Sequence, residues 1–373
     1  MRIKSYEFNL RELAGSMGDF GTLIPLAIGY IVVCGLEPSG LLIMIGLANI
    51  LSGIVYKLPM PIEPMKVIAV VAIAQQWTPS MVYASGFAMG IFWLIFALTG
   101  LIKWIEKFTP NSVIKGIQFT LGVLLAIEAF KMISNGWIIG IISILIVLIL
   151  KNSRYAPAAI VLMAGGFVMV YFEGHFQNIS MPSFTLPQFT TFKMNELWQV
   201  LFLAGFAQIP LTITNATLAT STMISHYWPE KPVSTQQLSW NQGIMNTLLP
   251  FFGGMPLCHG AGGLASQYYF GARTGGANIF EGLIEICLGL FFSASIVGIF
   301  TYFPMAIIGG MMFLVGIELT KFSWSAKFDV DIIPLTITVI TSLLTNMAIG
   351  FISGVMIHYT IKFFNETNKR IEQ

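Results

Sequence analysis

Glu63 and Lys66 stand beside three prolines in an otherwise apolar part of the chain. Residues 58–66 read Leu-Pro-Met-Pro-Ile-Glu-Pro-Met-Lys, and an apolar run starts at Val67. Because proline has no backbone N–H and keeps the residue before it out of the α region, the chain cannot be helical before Pro64. Pro64 itself suits the first position of a helix. The sequence therefore predicts an extended segment followed by a half-helix that begins at Pro64.

A glycine-rich stretch, residues 253–263, repeats this plan in the second half of the chain. It reads Gly-Gly-Met-Pro-Leu-Cys-His-Gly-Ala-Gly-Gly, and we expect another half-helix from about Gly260. The first turn of a helix carries free N–H groups and the positive end of the helix dipole, so two such termini facing each other would bind a small oxyanion. The alternative is that both breaks are packing kinks. The backbone groups expected to contact the ligand are those of Met65, Lys66, Gly260, Ala261 and Gly262.

Side chains near the two breaks would complete such a site. Lys66 would add positive charge, while Thr22, Gln208 and Asn215 would orient the ligand. His259 precedes the second half-helix and is either a ligand contact or a hydrogen-bonded structural residue. The three cysteines lack metal-ligand spacing, so we expect buried free thiols, no metal and no cofactor.

Carboxylates at membrane depth are costly and are therefore functional candidates. Asp19 lies about two turns into a first span expected over residues 14–34, where it either takes part in the site or caps a glycine-rich kink. Glu63 can form an ion pair or cap its own half-helix. We treat both acids as substrate-binding residues and as candidates for carrying a coupling proton. Glu281 and Glu285, four residues apart, are expected to be structural or gating groups.

The composition places the chain in a membrane. Hydrophobic residues make up 55% of it and charged residues 10%, whereas a soluble domain carries about 25% charged residues. Apolar runs long enough to cross about 30 Å of hydrocarbon give, with the two broken segments, fourteen candidate spans. With both termini in the cytoplasm, this topology puts all but three of the 19 Lys and Arg on the cytoplasmic side. We therefore expect a multi-pass protein of the cell (plasma or inner) membrane.

The sequence also repeats itself weakly at about half its length. Met60-Pro61 recurs 195 positions later as Met255-Pro256, in the matching broken segment. A repeat of seven spans is odd in number, so its second copy must enter the membrane from the opposite side, as in many secondary transporters. We predict an all-α polytopic fold of fourteen segments, arranged as a 7+7 inverted repeat with half-helices in segments 3 and 10. Residues 173–195 would link the two halves.

These motifs resemble the molybdate-transporter family of plants and bacteria, a relative of the SulP sulfate permeases. The stretches that carry the resemblance are 18–22, 59–66, 208–211 with Asn215, 255–265, 267–275 and 316–318. The resemblance implies the fold shared by SulP and nucleobase permeases, in which residues 1–105 and 196–300 would form a core domain and residues 106–172 and 301–366 a gate domain. It also implies molybdate as the substrate. The family usually has Gln where Glu63 stands, which puts a carboxylate beside the expected dianion.

Alternating-access transport of a tetrahedral oxyanion is the expected function, with proton coupling as a further expectation. Molybdate comes first, sulfate or tungstate next, and then a nucleobase or organic anion carried by the same fold. An enzyme using Cys258 and His259 is disfavoured, because neighbouring side chains on an extended segment point to opposite sides. The expected partners are the small oxyanion and the lipid bilayer, with no nucleic acid and with a homodimer as a candidate assembly.

Overall fold

The computed structural model of the chain describes residues 2–3, 5–150, 158–321 and 332–371, which are mostly helical. The elements of the first half are β1 (Arg2–Ile3), β2 (Tyr6–Glu7), α1 (Leu10–Ser16), α2 (Phe20–Val32), α3 (Pro38–Tyr56), β3 (Ile62–Pro64), α4 (Lys66–Ala74), α5 (Pro79–Thr99), α6 (Ile102–Phe108), α7 (Asn111–Ile133), α8 (Trp137–Leu150) and α9 (Ala158–Phe172). Those of the second half are α10 (Met194–Tyr227), α11 (Thr235–Leu248), β4 (Leu257–His259), α12 (Ala261–Phe270), α13 (Gly276–Tyr302), α14 (Met305–Lys321), α15 (Ile332–Leu344) and α16 (Met347–Ile371).

Within the described residues these elements form the fourteen predicted segments. The helices α1 and α2 together make segment 1, and β3 with α4 and β4 with α12 make segments 3 and 10. Six helices are long and apolar enough to cross a bilayer, and α1 with α2, bent by 48°, forms a seventh candidate. The helices α4 and α12 have only 9 and 10 residues, about half of what a full span needs, as the prediction of half-helices requires.

Helices of the first half of the chain pack against helices of the second half. The α3 helix of segment 2 packs along α13 of segment 11, and α5 of segment 4 packs along α11 of segment 9. These contacts are equivalent, because segments 9 and 11 repeat segments 2 and 4. The α7 and α14 helices of the equivalent segments 5 and 12 also pack together. The packing therefore has the pseudo-two-fold symmetry that an inverted repeat requires.

Glycines let α3 and α13 approach each other closely. A Cβ on Gly46 would lie 2.6 Å from the carbonyl oxygen of Gly282, and one on Gly53 would lie 2.6 Å from that of Gly275. In lipid there is no hydrophobic drive between helices, so close backbone packing of small residues contributes much of their association. This contact holds α13, and the acids it carries, against α3.

The predicted linker, residues 173–195, lies against the core. After a 3₁₀ turn (His175–Asn178) it runs extended along α13. There the Ser183 N–H donates to the Phe291 carbonyl at 2.9 Å, and the Thr185 N–H donates to that of Leu290 at 2.7 Å. The linker ends at Met194, where α10 begins.

Two local predictions are wrong. The first span is broken between α1 and α2. At the break, Gly18 lies so close to the backbone of α12 that a Cβ there would collide with it. Asp19 therefore precedes a helix and does not lie within one. Cys34 and Cys258 are buried free thiols as expected, whereas Cys287 is exposed on α13. Cys287 lies on the face of α13 opposite the buried Asn278, Glu281 and Glu285, so it points outward although its neighbours in sequence are apolar.

Candidate functional site

The two broken segments pair with each other as a short antiparallel ribbon. Beyond the strands, the Met65 N–H donates to the Pro256 carbonyl at 2.9 Å and the Gly260 N–H donates to that of Pro61 at 3.4 Å. The helices α4 and α12 therefore leave the ribbon from opposite ends. The register pairs are Ile62 with His259, Glu63 with Cys258, and Pro64 with Leu257.

The predicted start of the first half-helix is wrong by two residues. Pro64 lies in β3, Met65 is the N-cap, and α4 begins at Lys66. Pairing with the second broken segment keeps the chain extended through Met65, and this partner lies about half the chain length away, so local sequence does not reveal it. The second half-helix begins at Ala261, directly after the predicted Gly260.

Gln208 caps the first half-helix. Its Oε1 accepts hydrogen bonds from the backbone N–H groups of Val67 at 2.8 Å and Ile68 at 3.3 Å. Its Nε2 donates to Thr212 Oγ1 at 2.5 Å, and the side chain is buried. The amide oxygen predicted to orient a ligand is thus engaged with α4, which makes Gln208 a positioning residue for the helix start.

We expect Gln208→Ala to lower the free energy of unfolding by about 1 kcal/mol, the usual effect of removing a helix cap. Two N–H groups in a buried first turn would lose their acceptor. The measurement is the thermal unfolding midpoint in detergent. Thr214→Ala is the matched control in the same helix, because the Thr214 hydroxyl only donates to carbonyls of its own helix. Equal midpoints for Gln208→Ala and the control would contradict the capping role.

Four backbone N–H groups at the two helix starts make no hydrogen bond with the part of the chain that the structure describes. Two of the five predicted contacts, Met65 and Gly260, already have their N–H groups bonded in the ribbon. A Cβ on Gly262 would meet nothing within 4 Å, so the first turn of α12 opens onto free space. The four free groups belong to Lys66, Ala261, Gly262 and Gly263, of which the last was not predicted.

Glu63 connects the two half-helices. Its Oε2 lies 3.1 Å from Lys66 Nζ, and its side chain is 2% exposed against 28% for Lys66. A Cβ added to Gly260 or Gly263 would collide with the Glu63 carboxylate, so that carboxylate lies against the first turn of α12. The expectation that Glu63 caps its own half-helix is therefore wrong. It instead presents negative charge to the positive end of the opposite one.

Asp19 is the N-cap residue of α2, but its carboxylate does not cap the helix. The Asp19 carbonyl accepts from the N–H groups of Thr22 and Leu23, while both carboxylate oxygens are buried and make no hydrogen bond to the described residues. A Cβ on Gly263 would lie 3.1 Å from Asp19 Cβ, which places this acid beside the start of α12. The capping alternative is thus wrong for the side chain.

Three predicted side chains remain. Thr22 and Asn215 are more exposed than Glu63, and His259 lies in the ribbon. Thr22 is half-buried in the first turn of α2, and Asn215 is half-buried in the second of two π-bulges in α10, Ile213–Leu218. His259 is buried in β4 and meets the Tyr56 ring edge to face at 5.9 Å. Its ring nitrogens have no well-formed hydrogen bond to the described residues, and the Pro61 backbone lies beside the ring.

Sequence reasoning missed a buried amide network that holds the ribbon. Asn278 Nδ2 donates to the Met60 carbonyl at 2.8 Å and to Asn49 Oδ1 at 3.0 Å, and Asn278 Oδ1 accepts from the Met60 N–H at 2.7 Å. Asn49 Nδ2 donates in turn to Glu285 Oε2 at 3.0 Å. The available signal was an asparagine within each of two apolar helices, where polar side chains are rare and need a partner.

A cavity of about 620 Å³ opens near the C-terminal end of α12. Gly262, Ser266 and Tyr269 share one face of α12 at helical spacing, so this cavity lies on the same face as the open first turn. The Arg273 guanidinium stacks 3.7 Å from the centre of the Tyr268 ring. The lining residues are Tyr227, Ala265, Ser266, Tyr268, Tyr269 and Arg273.

Solved structures of anion transporters share this architecture. The transmembrane domain of a cyanobacterium bicarbonate transporter, BicA, superposes with a TM-score of 0.63 at 16% identity, covering 95% of this chain and 97% of that one. The murine Solute Carrier 26 family member A9 anion transporter in the inward-facing state gives 0.73 at 12% identity, covering 98% and 70%. The predicted SulP-type inverted-repeat fold is confirmed.

The fold is that of multi-pass membrane proteins, and the family whose profile matches the chain is one of transporters, not of enzymes. The family profile described as "Molybdate transporter of MFS superfamily" matches residues 11–125 and 201–319. The chain belongs to the molybdate transporter family, and it is an anion transporter. Molybdate transporter 2 of Arabidopsis thaliana is 30% identical, covering 94% of this chain and 87% of that one. Molybdate transporter 1 of Chlamydomonas reinhardtii is 25% identical, covering 83% of each chain.

Proposed function

We propose that this chain is a secondary active transporter of a tetrahedral oxyanion, molybdate, and that it works by alternating access. One observation supports the proposal most strongly: Lys66 and four free N–H groups lie at the starts of two half-helices from inverted halves. These groups are donors only, which suits an ion whose oxygens are all acceptors. The relatives named molybdate transporters support molybdate over other oxyanions.

In this proposal the oxyanion takes the place of the Glu63 carboxylate. Both are anions attracted to the first turn of α12, and like charges so close together disfavour full ionisation. The dianion binds Lys66 and the N–H groups of Ala261 and Gly262, with Thr22 and Asn215 at its sides. Glu63 leaves its ion pair and takes up a proton, and Asp19 is the second carrier of the coupling proton.

Alternating access in this proposal moves the core domain, residues 1–105 and 196–300, against the gate domain, residues 106–172 and 301–366. Packing supports this division, because the α3–α13 and α5–α11 contacts lie within the core, and the α7–α14 and α15–α16 contacts lie within the gate. The two domains meet where α4 contacts α7 and α2 contacts α14. In this proposal the cavity beside Arg273 is the route to the cytoplasm. Both chain termini also lie on the cytoplasmic side of the cell membrane.

Uptake of labelled molybdate into liposomes that contain the purified protein tests this proposal. We expect accumulation inside the liposomes that unlabelled molybdate and tungstate suppress, because the two ions share charge and shape. Sulfate, the smaller ion, should compete less strongly, and uracil should not compete. Inhibition by uracil without inhibition by tungstate would contradict an oxyanion site.

We expect Glu63→Gln to flatten the pH dependence of molybdate uptake while uptake itself continues. Glutamine keeps the shape of the side chain but cannot take up a proton in exchange for Lys66. The measurement is the initial rate of uptake at a series of pH values. The matched control is Glu128→Gln, which removes a buried carboxylate from the Glu128–Lys131 ion pair on α7. A pH profile for Glu63→Gln that equals the wild-type profile would refute this role.

A further inference from the structure

Two buried acids on α13, Glu281 and Glu285, have no part in the substrate-binding step. They lie one helical turn apart, and neither is more than 3% exposed. Asp19, at the start of α2, lies within electrostatic range of Glu281 and of Glu63. Asp19, Glu281 and Glu285 are called the acidic cluster here. It extends from the candidate anion site into the contact between α3 and α13.

The acidic cluster has too few hydrogen-bond donors. Gln267 Nε2 of α12 donates to Glu281 Oε2 at 2.9 Å, and Asn49 Nδ2 of α3 donates to Glu285 Oε2 at 3.0 Å. A buried acceptor without a donor is destabilising, and five such oxygens lie together here. A carboxyl group can supply the missing donor by holding a proton. The unpaired oxygens are Asp19 Oδ1 and Oδ2, Glu281 Oε1, Glu285 Oε1 and, outside the acids, Gln267 Oε1.

Among the described residues, no cation forms an ion pair with the acidic cluster. Lys66 is paired with Glu63 at 3.1 Å. On α1, Arg11 lies against Gly271, and Glu12 accepts from the N–H groups of Arg273 and Thr274. His175 of the linker stacks on Tyr302, at the far end of α13. No three His, Cys, Asp or Glu side chains in the described ranges are placed to hold a metal ion.

We propose that the acidic cluster stores the proton that couples oxyanion transport to a proton gradient. This inference rests on the proposed function of the neighbouring site. When the oxyanion draws Lys66 away from Glu63, the O–H bond of the Asp19 carboxyl breaks and an O–H bond forms on the Glu63 carboxylate. Glu281, hydrogen-bonded to Gln267, returns a proton to Asp19, and Glu285 supplies Glu281. Each transfer moves one proton between two carboxyl groups. Glu63 releases its proton when the oxyanion leaves and Lys66 returns to it, and a proton from the gradient restores Glu285.

The test compares two assays on the full chain in liposomes, with the membrane potential clamped at zero. In the wild type, a gradient of one pH unit should support about tenfold accumulation of labelled molybdate for each proton carried. Glu281→Gln keeps an acceptor for Gln267 but has no titratable proton. Its accumulation should therefore fall about tenfold, to the level without a gradient. Exchange of labelled for unlabelled molybdate at equal pH should continue. Glu128→Gln, the matched control on α7, should retain both activities.

Wild-type accumulation in Glu281→Gln and in Glu285→Gln would overturn the proposal. So would an equal loss of accumulation and exchange in both variants, because the acids would then be structural. If Glu281→Gln does not fold, the two assays on Glu285→Gln test the proposal. This variant keeps its hydrogen bond, because Asn49 can still donate to the amide oxygen. A wild type that exchanges no oxyanion would instead reject the proposed function, whereas exchange without any response to the gradient would reject only the proton store.

Discussion

Lys66→Met should weaken molybdate binding on the order of 100-fold. A hydrogen bond to a charged group contributes about 1.5–3 kcal/mol, which corresponds to about 10- to 150-fold in affinity. The substitution also leaves Glu63, only 2% exposed, without its partner at 3.1 Å, so an ionised carboxylate would oppose the arriving anion. The measurement is the dissociation constant of molybdate for the purified protein, determined by calorimetry.

Lys131→Met is the matched control for this loss. Lys131 forms an ion pair with Glu128 that has the same sequence spacing and the same distance, 3.1 Å, as the pair of Lys66 with Glu63. The Lys131 side chain is 63% exposed and lies in the last turn of α7. We expect wild-type affinity for the control. Equal affinities for Lys66→Met and Lys131→Met would show that Lys66 does not bind the anion.

Gly263→Ala should abolish transport and lower stability by about 1–3 kcal/mol, the usual cost of overpacking. Its Cβ would collide with a carboxylate oxygen of Glu63 and lie 3.1 Å from Asp19 Cβ and 3.2 Å from Pro61 Cβ. All three neighbours are buried in or beside the ribbon, so the added methyl group takes the place of the Glu63 carboxylate at the first turn of α12, which is also the place proposed for the oxyanion. The measurements are the initial rate of molybdate uptake and the thermal unfolding midpoint.

Gly165→Ala on α9 is the control for adding a methyl group to a helical glycine. A Cβ there would meet nothing within 4 Å, and the position lies in a different part of the fold from the half-helices. We expect its uptake rate and its unfolding midpoint to equal those of the wild type. Wild-type uptake by Gly263→Ala would show that the oxyanion does not bind at this position.

The two half-helices could be predicted because their signals are local. Proline removes an N–H and glycine opens the first turn whatever the rest of the chain does, so residues 58–66 and 253–263 indicate breaks by themselves. The repeat offset then predicts that the breaks are equivalent. What these residues cannot indicate is their mutual register. The ribbon keeps Pro64 and Met65 extended and moves the start of α4 to Lys66.

Side-chain roles within the site were harder to predict, because they depend on partners from other segments. The sequence predicts Gln208 as a ligand contact, whereas in the structure its side chain accepts two hydrogen bonds from α4. The sequence predicts that Glu63 can cap the half-helix next to it, whereas in the structure its carboxylate lies against α12. Charge and burial requirements indicate that such groups need partners, but they do not identify the partner. For the same reason the sequence predicts only that Glu281 and Glu285 are structural or gating groups.

Locating bound tungstate tests most directly whether the oxyanion is held between the starts of α4 and α12. Tungstate has the charge and shape of molybdate, and tungsten scatters electrons more strongly than any protein atom, so one ion stands out in a cryo-EM density map. We expect its peak with oxygens about 3 Å from Lys66 Nζ and from the Gly262 N–H. A peak in the cavity beside Arg273, with none at Gly262, would contradict the site.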